Sequence, residues 1–177
     1  MDRSVEVVIR EPTAEDADGL GAAHVAAWQI GYRGLMPSGY LSRLDAGARA
    51  ERWRRTIVEG GSDATTLVAM VDDRIAGFTS YGPPRDDVDD GWGELWALNI
   101  HPDFWRRGIG TALFSAATNG LVGLGYSHAY LWVLRGNDRA IAFYRRQGWQ
   151  PDGEVKIDDQ RDFTPPLVEL RCSTALV

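Results

Sequence analysis

One stretch limits the fold more than any other: residues 94–149, ELWALNIHPDFWRRGIGTALF and, further on, LWVLRGNDRAIAFYRRQGW. An apolar strand (94–101) runs into a basic turn punctuated by glycines, and that turn opens a helix (109–124). A second strand (129–133) then runs into an asparagine turn and a helix (139–147) that carries Phe143 and Tyr144. Strand–turn–helix units in tandem demand a sheet with helices laid on it. The first turn also has the chemistry of a phosphate cradle. The first N–H groups of a helix have no intrahelical acceptor and attract anions, and glycines let a diphosphate approach the backbone without a Cβ in the way.

The rest of the chain supplies further strands and helices. A β-branched strand (5–10) precedes a helix start at Thr13, with Asp16 three residues on. The helix places His24, Trp28 and Tyr32 four apart on one face, and residues 34–37 break it. Helical pieces follow at 37–44 and 48–58. Next come a hairpin, 65–71 and 74–81 about Asp72-Asp73, and a loop at 82–90 rich in proline and aspartate. A strand is expected at 149–155, irregular polar chain over 153–166 and a closing strand at 167–176. No repeat, linker or low-complexity tract interrupts the pattern. The expectation is an α+β fold with a central mixed, mostly antiparallel sheet flanked by helices and a β-α-β-α-β C-terminal half, with residues 1–177 as a single domain.

Composition narrows the function. A net charge of −6 argues against wholesale nucleic-acid binding, which needs a basic face. The lone Cys172 permits no intramolecular disulfide and no cysteine-based zinc site, and histidines 24, 101 and 128 are scattered, so no metal is implied. No signal peptide opens the chain and no run approaches membrane-spanning length, so the cytoplasm is the expected place of action and no membrane partner is expected.

Two nucleotide-binding alternatives fail on detail. The dinucleotide fingerprint needs a third glycine where Leu113 stands, and a triphosphate loop needs a Gly-Lys-Ser/Thr that is absent. By itself a Gly-x-Gly turn means only a tight turn, Asn137 reads equally as an N-cap, and Tyr144 reads equally as a core aromatic.

Taken jointly, Gly108-x-Gly110 behind two arginines and Asn137-x-x-Ala140-x-x-Phe143-Tyr144-x-x-x-Gly148-Trp149 resemble the two halves of the acyl-CoA site of the GNAT superfamily of N-acetyltransferases. Residues 9–17 also resemble that family's strand–helix entry, so the likeness spans about residues 5–175 and is specific over 94–149. One departure is Trp105, where the family often has glutamine or arginine.

The resemblance implies acetyl-CoA as co-substrate. The backbone of Leu98, Asn99 and Ile100 would pair with the pantetheine arm as an added strand does. Arg106, Arg107, Gly108, Ile109, Gly110 and Thr111 would hold the pyrophosphate, and Asn137 would contact the arm. Tyr144 would protonate the leaving thiolate. Glu94 stands where the histone-modifying branch carries its glutamate base, on a strand face read as shared with Trp96 and Leu98. It reads equally as a solvated strand-start glutamate, and a water chain can do the base's work. Trp28 and Tyr32, with His24, form either an aromatic wall for the acceptor or a face packed on the sheet. Asp86, Asp87, Asp89 and Asp90 form either a lure for a cationic amine or a solvated loop. The implied reaction is acetyl transfer to a primary amine by direct attack in a ternary complex, with a small-molecule amine as partner and a homodimer compatible with the chain. The rivals are transfer from another acyl-CoA, transfer to a protein N-terminus, and a CoA-binding sensor without turnover.

Overall fold

A computed structural model describes residues 6–60, 62–158 and 163–176. Seven strands form one sheet in the order β1-β2-β3-β4-β5-β7-β6. They are β1 (Val7–Arg10), β2 (Thr65–Val71), β3 (Arg74–Gly82), β4 (Trp92–Ile100), β5 (His128–Leu134), β6 (Gln150–Asp158) and β7 (Leu167–Ala175). Every neighbouring pair is antiparallel except β4–β5. The helices are α1 (Ala17–Gly31), α2 (Ser38–Ser42), α3 (Ala46–Glu59), α4 (Ile109–Gly123) and α5 (Asp138–Arg146). This is the expected mixed, mostly antiparallel α+β fold; the start of the first strand, at residue 5, lies outside the described residues.

The apolar stripes decide which face each helix covers. Leu20 and Ala23 of α1 pack with Val68, Ile75 and Phe78 on one face of the sheet, with Trp53 and Ile57 of α3 against them. On the other face, Ile109 and Leu113 of α4 sit on Ala69, Val71 and Ala76. Phe114, Ala117 and Leu121 join Leu95, Leu131, Tyr144 and Trp149 there. Complete burial of residues such as Leu113, Leu121 and Trp149 makes this α4–α5 layer a main source of stability, at roughly 1.5–3 kcal/mol per large apolar side chain.

Two irregularities in β4 shape the centre. Ser80 pairs with Ala97 but Tyr81 with Leu95, so Trp96 is an extra residue, a β-bulge. A bulge reverses the alternation of faces beyond it. Leu95 and Leu98, three apart, therefore both pack toward α4, whereas Ala97 packs toward α1. This corrects the reading that put Glu94 and Leu98 on one face. The second irregularity is that β4 and β5 pair only over Trp92–Glu94 with His128–Tyr130. Beyond those three pairs the strands part.

The β6–β7 hairpin also departs from expectation. The strand expected at 149–155 runs on through residue 158 as β6, so residues 156–158 belong to it and not to irregular chain. The register shifts between Pro151 and Val155, and β6 is a sheet edge exposed along nearly its whole length, so no apolar alternation marks it.

Candidate active site

Where β4 and β5 part, a cleft of about 730 Å³ opens. Leu95, Ala97, Leu98 and Asn99 line it from β4, and Leu131, Trp132 and Leu134 from β5. The antiparallel ladder fixes how the β4 backbone faces it. The His101 N–H donates to Ala76 O of β3 at 2.8 Å. Strand alternation then turns the peptide groups of Asn99 toward β3 and those of Leu98 and Ile100 toward the open side. The indole of Trp105 donates to the Ile100 carbonyl at 2.8 Å, and the Arg139 guanidinium lies 3.4 Å over the Trp105 ring. Trp105 thus closes the end of the open edge. Of the trio Leu98, Asn99 and Ile100, Leu98 offers its N–H and carbonyl to a ligand and Ile100 its N–H, since the Ile100 carbonyl accepts the Trp105 indole, while Asn99 lines the cleft.

Past a short 3₁₀ turn, Pro102–Phe104, the chain reaches the glycine turn. Gly108 is the N-cap of α4 at φ +78°, a left-handed conformation that side chains rarely adopt, and it contributes no side-chain cap. The first intrahelical bond runs from Ala112 N–H to Gly108 O at 3.0 Å, so the N–H groups of Ile109, Gly110 and Thr111 precede the helical ladder. A Cβ at Gly108 would meet no atom within 4 Å, so the turn has free space over it. Arg106 and Arg107 are exposed beside it, with Arg107 5.4 Å from the Phe104 ring centre. These groups suit a diphosphate, and a ligand reaching from the turn into the cleft would run along the Leu98–Ile100 edge.

Asn137 caps α5 by accepting the Ala140 N–H at 3.3 Å. Two helical turns on, Tyr144 is buried against Phe114, 5.9 Å between ring centres, and lines the cleft. Burial, reinforced by Tyr32, pushes its hydroxyl pKa well above the usual phenol value, so it stays protonated. His24 and Trp28 of α1 and Tyr32, which caps that helix at its C-terminus, line the same cleft, with the Trp28 and Tyr32 rings 5.1 Å apart edge to face. The structure thus unites Tyr144, Trp28, Tyr32 and the β4 edge. His24 accepts the Trp53 indole N–H at Nδ1, 3.3 Å. Burial first, then Arg49 and Arg52, lower its pKa to about 3.

Glu94 is placed differently from a base open to substrate. It has no exposed surface. Its carboxylate accepts the Arg85 backbone N–H at 2.9 Å, Arg85 Nε at 3.1 Å, Arg85 Nη2 at 2.6 Å and the Tyr130 hydroxyl at 3.1 Å. Arg85, not Glu94, reaches the cleft. The aspartate run divides, with three of its members on the solvated loop and one turned inward. Asp86 turns inward, accepting the Trp132 indole at 2.7 Å and Lys156 Nζ at 2.8 Å, and Asp87, Asp89 and Asp90 stay exposed on the loop.

Sequence reasoning missed Arg85, Arg139, Tyr130 and Lys156. The one signal for Arg85 is a single cation at the head of the acidic run RDDVDD. The others sit at ordinary surface or strand positions and become partners only through the fold.

Comparison with known proteins agrees with this geometry. A sequence model described as "Acetyltransferase (GNAT) family" matches residues 28–149. The chain is 30% identical over 148 residues to the uncharacterized N-acetyltransferase YuaI of Bacillus subtilis (strain 168), covering 82% of this chain and 80% of that one. It is 31% identical over 157 residues to a mycothiol acetyltransferase of Clavibacter sepedonicus, covering 88% of this chain but 46% of that longer protein. The PaiA N-acetyltransferase of Thermoplasma acidophilum, solved with coenzyme A, superposes with a TM-score of 0.73 at 21% identity, over 96% of this chain and 99% of that one.

Proposed function

The chain belongs to the acetyltransferase (GNAT) family, and from that premise we propose that it moves the acetyl group of acetyl-CoA to a primary amine by direct attack in a ternary complex. The observation that carries the reading is the continuity of three parts: the glycine-capped start of α4, the open β4 edge, and a cleft holding Tyr144.

The pyrophosphate sits on the amides of residues 108–111 with Arg106 and Arg107 beside it. The pantetheine arm extends β4 by bonding Leu98 and Ile100, and Asn137 lies along its path. The thioester carbonyl then points at the Leu98 N–H, a fixed donor for the developing oxyanion. Tyr144 supplies a proton to the thiolate as the C–S bond breaks. Burial raises the pKa of a phenol and of a thiol alike, so a dry site keeps the two matched. Holding both reactants in one cleft supplies much of the rate. Trp28 and Tyr32 form the acceptor's wall. Glu94 serves by fixing Arg85, and the amine's proton leaves through water. Residues 1–177 act as one domain with a small-molecule acceptor, in keeping with the likeness to mycothiol acetyltransferases, and the cytoplasm is the place of action. Among the described residues no helix is long and apolar enough to cross a membrane.

The test is thiol release from acetyl-CoA across an amine panel, in wild type and Tyr144→Phe. The variant is expected to keep cofactor affinity and lose roughly ten- to a thousandfold in turnover. Acetyl-CoA binding without thiol release for any amine would overturn the reading in favour of a sensor, and unchanged turnover in the variant would remove Tyr144 from the chemistry.

A further inference from the structure

The chain is acidic overall, yet the wall of its cleft nearest α1 and α3 is cationic. Arg49 and Arg52 of α3 and Arg85 of the β3–β4 loop all line it. The lining carboxylates, Asp158 and Glu169, come from the β6–β7 hairpin, on the β5 side of the sheet.

Arg85 has the construction of an anion receptor. Its Nε and Nη2 hydrogens are committed to the fully buried Glu94. Its guanidinium lies 4.7 Å from the Trp96 ring centre, and the Trp96 indole is itself pinned to Pro83 O at 2.9 Å. The Trp96 bulge creates this seat by adding a residue to β4 beside Glu94. Half of the Arg85 side chain remains exposed, and among the described residues its Nη1 end carries no hydrogen bond. A guanidinium held rigid on one edge presents the other edge, Nη1 and the second Nη2 hydrogen, to a planar oxyanion at little entropic cost. Its buried counterion keeps Arg85 charged without standing between it and the cleft. Arg52 approaches from α3, and the neighbouring His24 is held neutral by burial first and then by Arg49 and Arg52.

Building on the acetyl-transfer reading above, we propose that the acceptor is an amine bearing an oxyanion, carboxylate or phosphate, seated end-on at Arg85 with Arg52 facing it across the cleft. The aromatic wall of Trp28 and Tyr32 covers the apolar part of the acceptor between that seat and its amine.

The test compares matched acceptors by kcat/KM in thiol release from acetyl-CoA: phenylalanine against phenethylamine, 4-aminobutanoate against 1,4-diaminobutane, and O-phosphoethanolamine against ethanolamine. The first two pairs report a carboxylate and the third a phosphate. The anionic member of at least one pair is expected to lead by about ten- to a hundredfold, the range of a charge-assisted hydrogen-bonded contact, chiefly through KM. Arg85→Gln erases that lead, and Arg85→Lys restores part of it. Arg52→Gln, at an exposed helix position, narrows it without moving Tm. The same pairs are titrated by calorimetry into CoA-loaded protein, so that acceptors too slow to assay are still ranked. Equal or better performance of every partner that lacks the anion overturns the proposal, as does an Arg85→Gln variant that slows both members of a pair by the same factor. Absence of any acetyl-CoA-dependent thermal shift refutes the acetyl-transfer reading instead, while intact transfer with reversed preference refutes the anion seat alone.

Discussion

Replacing Glu94 by glutamine separates two roles for the same carboxylate. The amide keeps the side chain's size but retains a single acceptor oxygen. Its NH2 then meets donors whichever way it turns: the Arg85 backbone N–H and Tyr130 hydroxyl near Oε2, or Arg85 Nη2 near Oε1. Each charge-assisted bond lost costs about 1.5–3 kcal/mol, and removing one member of a buried pair costs up to about 3–5 kcal/mol. Arg85 is half exposed, so water re-solvates part of its charge and the figure falls to about 2–4 kcal/mol. For a chain of this length each kcal/mol moves Tm by about 2–4 °C, and the expected drop is about 4–16 °C. Scanning calorimetry on Glu94→Gln measures it. A Tm within about 2 °C of wild type would refute the claim that this pair anchors the β3–β4 loop. The kinetic arm runs well below Tm from pH 6 to 10. With Glu94 as an anchor, kcat keeps the wild-type pH profile while KM for an anionic acceptor rises as Arg85 loosens. With Glu94 as the base, kcat falls at neutral pH and recovers as the amine deprotonates unaided, and that pattern would sink the anchoring role.

Gly108→Asp should abolish the acetyl-CoA-dependent rise in Tm, because it sets a carboxylate among phosphate-binding amides; equal shifts in wild type and variant would remove the turn from the cofactor site. His24, at about pKa 3 in the fold against about 6.5 unfolded, should make stability pH-dependent. Stability is full above pH 6.5 and declines toward pH 3, because only the unfolded state takes up the proton, and about 2 kcal/mol is lost by pH 5. Urea titrations at pH 8 and 5 should show this loss in wild type and lose most of it in His24→Gln; an equal loss in both would refute a neutral buried His24.

What the sequence disclosed follows from what periodicity and turn chemistry encode. The strand–turn–helix run over 94–149 was legible because glycine, N-cap and apolar-stripe signals are local. The Trp96 bulge was not, since no local residue type demands it, and its effect on Glu94 and Leu98 is felt only through the partner strand. The length of β6 was hidden by its two exposed faces. The partnership of Glu94 with Arg85 and Tyr130 was hidden for another reason: it joins a loop and two strands, and only Glu94 sits in the recognisable motif.

These hidden features converge on one piece of geometry. Because β4 carries an extra residue at Trp96, its C-terminal half turns Leu98 and Ile100 toward α4 in the core, while Ala97 and Asn99 face the side that α1 covers. Because β4 and β5 pair only over Trp92–Glu94, the backbone edge beyond the bulge stays open. Had β4 run straight and paired fully with β5, its hydrogen bonds would be spent within the sheet and no edge would remain for an amide-bearing ligand. The unpaired edge would be a liability on its own, and here it lies inside a cleft walled by α1, with Trp105 closing its far end and the Glu94–Arg85 pair fixing its near end. The same bulge that shapes the groove proposed for the cofactor therefore also sets the seat proposed for the acceptor's anion, so that restoring regular register by deleting Trp96 should disable both proposed sites together and not one alone.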